Sequence, residues 1–407
     1  MSRIVVAVVQ QMTQVHESPE AYQADVKRFM RQVKSKQANL VVFPELSGLM
    51  LAYPLISGVK RGLLKRADKG DARRASPLAK VLGRVAGGTA EALGGGMRGS
   101  LVRLLRKRHG ELFDAYVGFF SEVAAEYGLY VVGGSIFLYD EDLDEVRNTS
   151  YVFDPRGEIV GYQEKLVLTQ QDEGLCDPGD RVQVLDTDLG RLGVVFGTDA
   201  LYPEPARALA VQGADLLVAP AACPGPVLHL KVREAFHARV QENQLFGAIS
   251  FLVGSNSLGE DQYAGRSAVL SPIELTARRT GVFQEVGTAN VESFVAVECD
   301  LGELRNLWEI ADPPLRHRMP RACGSLLAGF YATNGTVAQG YVAPEEAPRE
   351  VPSALPLEES VYSVYDEPVG GTLEEAEETV ARIPASVTSP DATEEESPAE
   401  EEKWPFE

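Results

Sequence analysis

The chain has 407 residues, 44% of them hydrophobic and 24% charged, the balance of a soluble globular protein. Its formal charge of −20 is unevenly spread: Ala343 onward holds 19 acidic residues against 3 basic, whereas Leu51 to Gly110 holds 14 Lys and Arg against 3 Asp and Glu. No apolar run approaches the ~18 residues of a membrane helix. The run Ile4–Val9 stops at Gln10-Gln11 without a small-residue cleavage site, and the four cysteines show no CxxC spacing; a first strand and free thiols in a reducing cytoplasm are expected.

Short β-branched runs alternate with helical stretches, the pattern of strands connected by helices. Ile4–Val9 reads as a buried strand, 19–37 as an amphipathic helix, and Leu40–Phe43 as the next strand, ending at Pro44-Glu45. Tyr116–Tyr127 is expected to be helical and Tyr130–Phe137 a strand. Thr149–Phe153 and Ile159–Glu164 form a hairpin across Asp154-Pro155-Arg156-Gly157, a strong turn signal. Leu192–Phe196 and Leu216–Ala219 are further strands with a helix over 203–212 between them; a long helix over 227–243 and strands at Ala248–Ser255, Ser267–Leu270 and Val295–Cys299 follow. Residues 51–112 interrupt this scheme with a basic, glycine-containing insertion, in which 101–108 is cationic and amphipathic. The tail 343–407, rich in Glu, Pro, Ser and Thr, cannot bury enough apolar surface to offset its ordering entropy and is expected to be disordered.

Three charged residues stand at or just beyond strand ends: Glu45 after Leu40–Phe43, Lys165 after Ile159–Glu164, and Glu173 eight residues further on. A single charge at a sheet rim is ordinarily only solvated. Three together carry more, because ligand crevices of open α/β sheets lie at the carboxyl ends of strands.

At this point the sequence resembles the nitrilase superfamily of carbon–nitrogen hydrolases. The resemblance rests on Phe43-Pro44-Glu45, on Lys165 followed by Glu173, and on the stretch from Gly190 to Asp199. It continues through Tyr202-Pro203-Glu204, Gly213-Ala214-Asp215-Leu216, Arg239 to Asn243, Gly265-Arg266-Ser267 with Pro272, and Cys299-Asp300-Leu301 with Arg305. These blocks occur in the family's order and cover roughly 3–50 and 115–310. The resemblance implies a four-layer α-β-β-α sandwich over 1–340 and a homo-oligomer. It also implies a site in which a cysteine attacks an amide or nitrile carbon, a glutamate takes the thiol proton, a lysine stabilises the oxyanion and a second glutamate positions substrate. Carried over by position, Glu45 matches the base, Lys165 the oxyanion lysine and Glu173 the second glutamate. The cysteine position, two residues before Asp199, is Gly197. Glycine there tolerates a strained turn, but it supplies no nucleophile.

Two functions of different class follow. One is a silent homologue that binds a small amide-like ligand or a partner. The other is an active amidohydrolase, with Cys223 as relocated nucleophile or with water activated by Glu45 while Lys165 stabilises the oxyanion. Cys223 lies in the loop after Leu216–Ala219, although a buried free cysteine is ordinarily only packed. Thr198 is expected to point away from the pocket, and Cys176 is a weaker candidate than Cys223. The five histidines lack the spacing of a helical metal motif, and no phosphate loop occurs, so neither metal nor cofactor is expected. The insertion 51–110 reads as a solvated lid or as a dock for an anionic partner, including a lipid surface or the acidic tail. It has no Phe, Tyr or Trp between Pro54 and Gly110, so no nucleic acid is expected.

Overall fold

The computed structural model describes residues 3–51, 99–255 and 262–316, apart from single positions 15, 17, 100 and 314. Most of the basic insertion, the acidic tail and Cys323 lie outside the described residues. In chain order the elements are β1 (Arg3–Thr13), α1 (Pro19–Ser35), β2 (Leu40–Val42), α2 (His109–Tyr127), β3 (Tyr130–Val132), β4 (Ile136–Asp140), β5 (Glu145–Phe153), β6 (Ile159–Glu164), β7 (Val184–Thr187), β8 (Gly190–Val194), α3 (Pro203–Val211), β9 (Leu216–Ala222), α4 (Pro226–Asn243), β10 (Phe246–Gly254), β11 (Ala268–Leu270), β12 (Val282–Glu285), β13 (Ser293–Asp300) and α5 (Leu301–Ile310).

The alternation of strand side chains builds the layers. Ile4, Val6 and Val8 of β1 share a core with Leu40 and Val42 of β2, Leu192 and Val194 of β8, Leu216 and Val218 of β9, and Phe246 of β10. The intervening Ala7, Val9, Val41 and Phe43 face the other way, onto Tyr22, Val26, Phe29 and Met30 of α1 and Tyr116, Phe119 and Phe120 of α2. On the far side, Leu217, Ala219 and Ala221 of β9 and Ile249 of β10 pack on Leu209 of α3 and Val232, Phe236 and Val240 of α4. Three cores separating four layers make the α-β-β-α sandwich.

β1 joins the two sheets. It pairs with β2 in parallel and with β13 antiparallel, then its last residues pair in parallel with β10, from Gln11 opposite Leu252 to Thr13 opposite Gly254. One sheet continues through β3, β5, β4 and β6, the other through β9, β8 and β7 with β11 and β12. Two helix starts follow from local side-chain caps: Ser18 Oγ accepts from the Ala21 amide with Pro19 in the first turn of α1, and Asp300 caps the Gly302 and Glu303 amides of α5.

The structure departs from the sequence reading in three places. The stretch 130–137 is two strands, not one. Gly133 and Gly134 turn the chain between them, and at Gly134 (φ +66°) the backbone lies so close to the Pro44 carbonyl that a Cβ has no room. Helix α2 starts at His109, and residues 101–107 before it are helical too. Leu105 is buried in the outer core and Leu101 and Val102 pack against it, while Arg106 pairs with Asp144 and Arg108 with Glu111. The apolar residues Leu101, Val102 and Leu105 of this stretch thus pack on the protein's own core. Strands β7 and β12, absent from the sequence reading, are short and half-buried.

Candidate active site

Glu45 leaves the end of β2 in a turn pinned from several directions. The Leu46 amide donates to Ser135 Oγ at 3.0 Å, and the single Ser47 hydroxyl hydrogen is shared between Gln11 Oε1 and the Pro44 carbonyl, each 2.8 Å from Oγ. Leu46 is held at φ +66°, a conformation a leucine adopts only when its surroundings impose it. The result aims the Glu45 carboxylate inward, where it is 2% exposed. Its Oε1 accepts from Lys165 Nζ at 2.7 Å and Asn148 Nδ2 at 3.0 Å, and its Oε2 from the Ala222 amide at 3.0 Å.

Lys165 follows β6 directly, its amide donating to the Asn148 carbonyl of β5 at 2.9 Å, so that Asn148 and Lys165 reach Glu45 from neighbouring strands. The ammonium, 2% exposed, spans Glu45 Oε1 and Asp172 Oδ2 at 2.7 Å each. Asp172 Oδ2 also accepts from the Thr169 amide and hydroxyl at 2.7 and 2.8 Å. The second carboxylate on the lysine is therefore Asp172. Glu173, expected from the sequence resemblance to be the second glutamate, is exposed, because the turn after Thr169 directs position 172 inward and 173 outward.

Two carboxylates share one ammonium out of water. Burial pushes Glu45 up to about 7, against the opposing pull of Lys165, with Asp172 adding to the rise. Burial acts to lower Lys165, but Glu45 and Asp172 more than offset this and hold it above the usual lysine range. The arrangement can hold or exchange a proton on Glu45 near neutrality while keeping a fixed positive charge beside it.

Gly197 caps the turn Thr198–Leu201 after β8, its amide donating to the Pro220 carbonyl at 2.9 Å. Its backbone (φ −52°, ψ −46°) is ordinary helical geometry open to any residue, so the strained turn expected from the sequence is absent. Space is what is restricted here. A Cβ at 197 would stand 2.6 Å from Ala221 Cβ and 3.2 Å from Val232 Cγ1. Asp199 ties the turn to the lysine segment, accepting from the Leu166 and Val167 amides at 3.0 and 2.7 Å and from the Phe196 amide at 2.8 Å. Thr198 Oγ1 donates to the Val167 carbonyl at 2.7 Å.

Cys223 adjoins the site through its neighbour Ala222 and is 1% exposed. Burial, with the Glu45 charge adding, pushes its thiol far up, and among the described residues no hydrogen bond joins its sulfur to Glu45 or Lys165. It stands as a neutral thiol. Cys176, 6% exposed, is likewise pushed up by burial and then by Asp172. Tyr263 bridges to Pro224 beside Cys223, is 2% exposed, and its hydroxyl has no partner. Sequence reasoning missed Asp172, Asn148 and Tyr263. The signal for Asn148 was present: an amide-bearing residue in the middle of an otherwise buried strand. Among the described residues, no cluster of His, Cys, Asp and Glu could hold a metal ion, and no helix is long and apolar enough to cross a membrane.

Comparison with known proteins places the chain in a family. The chain is 32% identical over 200 residues to a probable hydrolase, YhcX, of Bacillus subtilis (strain 168), covering 48% of this chain and 38% of that protein. It is 28% identical over 196 residues to a nitrilase of Pyrococcus abyssi, covering 47% and 70%, and 29% identical over 189 residues to the Homo sapiens omega-amidase NIT2, covering 42% and 64%. The structure matches a carbon–nitrogen hydrolase from Helicobacter pylori G27 with TM-score 0.57 at 19% identity over 80% of this chain and 98% of that one. It matches Saccharomyces cerevisiae Nit3 with TM-score 0.53 at 20% identity over 76% and 94%. At such identities the structures share the fold. The family model described as carbon-nitrogen hydrolase matches residues 5–296, and the chain belongs to that family.

Proposed function

We propose that this chain is a carbon–nitrogen hydrolase homologue without the family's thiol chemistry, which keeps the Glu45–Lys165–Asp172 cluster to bind a small amide-like ligand. The observation that carries this is the packing at Gly197, the position aligned with the nucleophile. β9 occupies the space a side chain there would need, with Ala221 Cβ only 2.6 Å from the place of a Cβ. The absence of sulfur is thus matched by its surroundings, and loss of a nucleophile ordinarily removes several orders of magnitude in rate. Cys223 does not replace it, because a buried neutral thiol without a bonded base is a poor nucleophile.

A second reading has one observation in its favour. Glu45 at about 7 has the proton affinity suited to a general base at neutral pH, with Lys165 placed to stabilise an oxyanion. In that reading Glu45 activates water directly on an amide.

The discriminating experiment incubates the full chain and Gly197→Cys/Ala221→Gly with a panel of small ω-amides, nitriles and carbamoyl compounds, following turnover and covalent adducts by mass spectrometry. The silent reading expects neither turnover nor adduct in the natural chain, and an adduct in the variant. Turnover by the natural chain that is lost in Glu45→Gln and unchanged in Cys223→Ala establishes the water route instead.

A further inference from the structure

Strand alternation puts a second set of side chains on the opposite face of the strands that hold the candidate site. Asn148 and Lys165 reach toward Glu45; their chain neighbours Thr149 and Glu164 line a separate cleft of about 340 Å³ between β4, β5, β6 and the start of α2. That volume lies within the range of small-molecule pockets. Aromatic rings make up much of its wall. Phe113 stands edge-on to Tyr151 at 5.8 Å, Tyr151 is tilted against Tyr162 at 5.4 Å, and Tyr139 adds a fourth ring.

The charges at this cleft are unequally satisfied. Its cations are engaged already: Arg147 is buried and bonds Glu145 through Nη2, and His109 Nε2 lies 3.2 Å from Glu141. At the rim, Arg181 Nη2 donates to the Tyr162 hydroxyl at 2.8 Å. The anions have no such partners. Glu164 is half-buried, and among the described residues no hydrogen bond or ion pair reaches its carboxylate. Asp140 Oδ1 accepts from the Asp142 and Leu143 amides at 2.9 and 3.1 Å, but among the described residues no cation pairs with it. Burial, the largest effect, pushes the Glu164 carboxyl up, with Asp180 and Asp140 adding and Arg147 and Arg181 opposing. The Tyr151 hydroxyl is pushed up to about 12, first by burial and then by Tyr162, Glu164 and Asp140. The aromatic wall and both carboxylates therefore act on one small volume, and its unmatched charge is negative.

We propose that this cleft binds a small arylalkylammonium ion. The ammonium pairs with Glu164, Asp140 adds to the negative field, and the ring lies against Tyr151, Tyr162 and Phe113. An ammonium beside tyrosine rings also gains cation–π attraction. A carboxylate on the ligand is disfavoured, because no free cation faces the cleft to receive it. The site is separate from the Glu45 cluster and does not depend on whether that cluster is catalytic.

The test is calorimetric titration of the full chain at pH 7 with phenethylamine. The controls are 2-phenylethanol, which lacks the charge, n-butylamine, which lacks the ring, and L-phenylalanine, which adds a carboxylate. Phenethylamine is expected to bind saturably, and each control about tenfold more weakly or less. Glu164→Gln is expected to weaken phenethylamine about tenfold and to leave 2-phenylethanol unchanged. Tyr162→Leu is expected to bring phenethylamine down toward n-butylamine. Glu164 makes no hydrogen bond that the fold relies on, so the thermal midpoint of Glu164→Gln is expected to match the parent. No saturable binding of phenethylamine at millimolar concentrations overturns the proposal. So does phenethylamine binding that Glu164→Gln leaves unchanged, or 2-phenylethanol binding as tightly as the amine. Binding abolished by Lys165→Met and not by Glu164→Gln places the ligand in the Glu45 site and overturns it too.

Discussion

A side chain introduced at position 197 meets a wall, and the cost of that meeting follows from the structure. In Gly197→Cys the new Cβ stands 2.6 Å from Ala221 Cβ, whereas carbon atoms rest at about 3.5–4.0 Å. The turn after β8 and strand β9 must part by roughly 1 Å there, in a core where Ala221, Val232 and Phe236 are fully buried. Overpacking of this kind costs about 1–3 kcal/mol, a fall of roughly 2–10 °C in melting temperature. Ala221→Gly alone costs about 0.5–1 kcal/mol, from glycine in a strand interior. If the Ala221 methyl is the obstacle, the double variant is more stable than the sum of the single changes by about 1 kcal/mol or more. Urea unfolding of the four proteins measures this coupling. Strict additivity, or a Gly197→Cys protein as stable as the parent, refutes the argument that packing excludes a side chain at 197.

Lys165→Met leaves Glu45 and Asp172 buried without their cation and is expected to cost about 3–5 kcal/mol in urea unfolding, most of it recovered when Glu45→Gln and Asp172→Asn are added. His229 is 3% exposed, accepts from the Arg266 amide through Nε2 at 3.1 Å, and is held down at about 4 by burial, with Arg233 and Arg266 adding. Its folded value lies below the ordinary 6.5, so the stability it contributes is complete above 6.5 and lost as pH falls toward 4. A His229→Gln variant is expected to lose about 3 kcal/mol less than the parent between pH 7 and 4, by thermal unfolding at each pH. The thiols of Cys176, Cys223 and Cys299 are all buried and pushed up, and are expected to resist an aromatic disulfide reagent until denaturant is added, as peptide mapping of the labelled sites would show.

The layers were readable because burial on both faces of a central strand leaves continuous apolar runs such as Ile4–Val9, and because Pro19, Asp154-Pro155-Arg156-Gly157 and Pro203 mark element boundaries by backbone chemistry alone. The break at Gly133-Gly134 was not readable, since it depends on the close approach of Pro44, which is distant in sequence. The site divides in the same way. Glu45 and Lys165 were legible as charges at strand ends, and the structure brings them within 2.7 Å. Position 172 against 173 was not, because a one-residue choice in an irregular turn is settled by which carboxylate Thr169 captures. The absence of strain at Gly197 was hidden for a related reason: the limit there is a β9 side chain, not the local backbone.

The charge of the cluster separates the two functional readings further. With Glu45 pushed up to about 7 by burial, the folded chain holds a proton there that the unfolded chain has released above 4.5. Between these values the folded state binds more protons, so the Glu45 contribution to stability falls as pH rises through the window. A Glu45→Gln variant is therefore expected to show a flatter pH dependence than the parent, and both readings require this equally. Only a working base translates the same titration into rate. If Glu45 activates water, turnover must rise as its carboxyl deprotonates, with a midpoint near the window seen in unfolding, and must vanish in Glu45→Gln. A stability slope that changes with Glu45 while no amide in the panel is turned over at any pH leaves the cluster as a charged floor for binding. An unchanged slope in Glu45→Gln means that Lys165, Asn148 and the Ala222 amide keep the carboxylate ionised throughout, and removes the one observation that favours the water route.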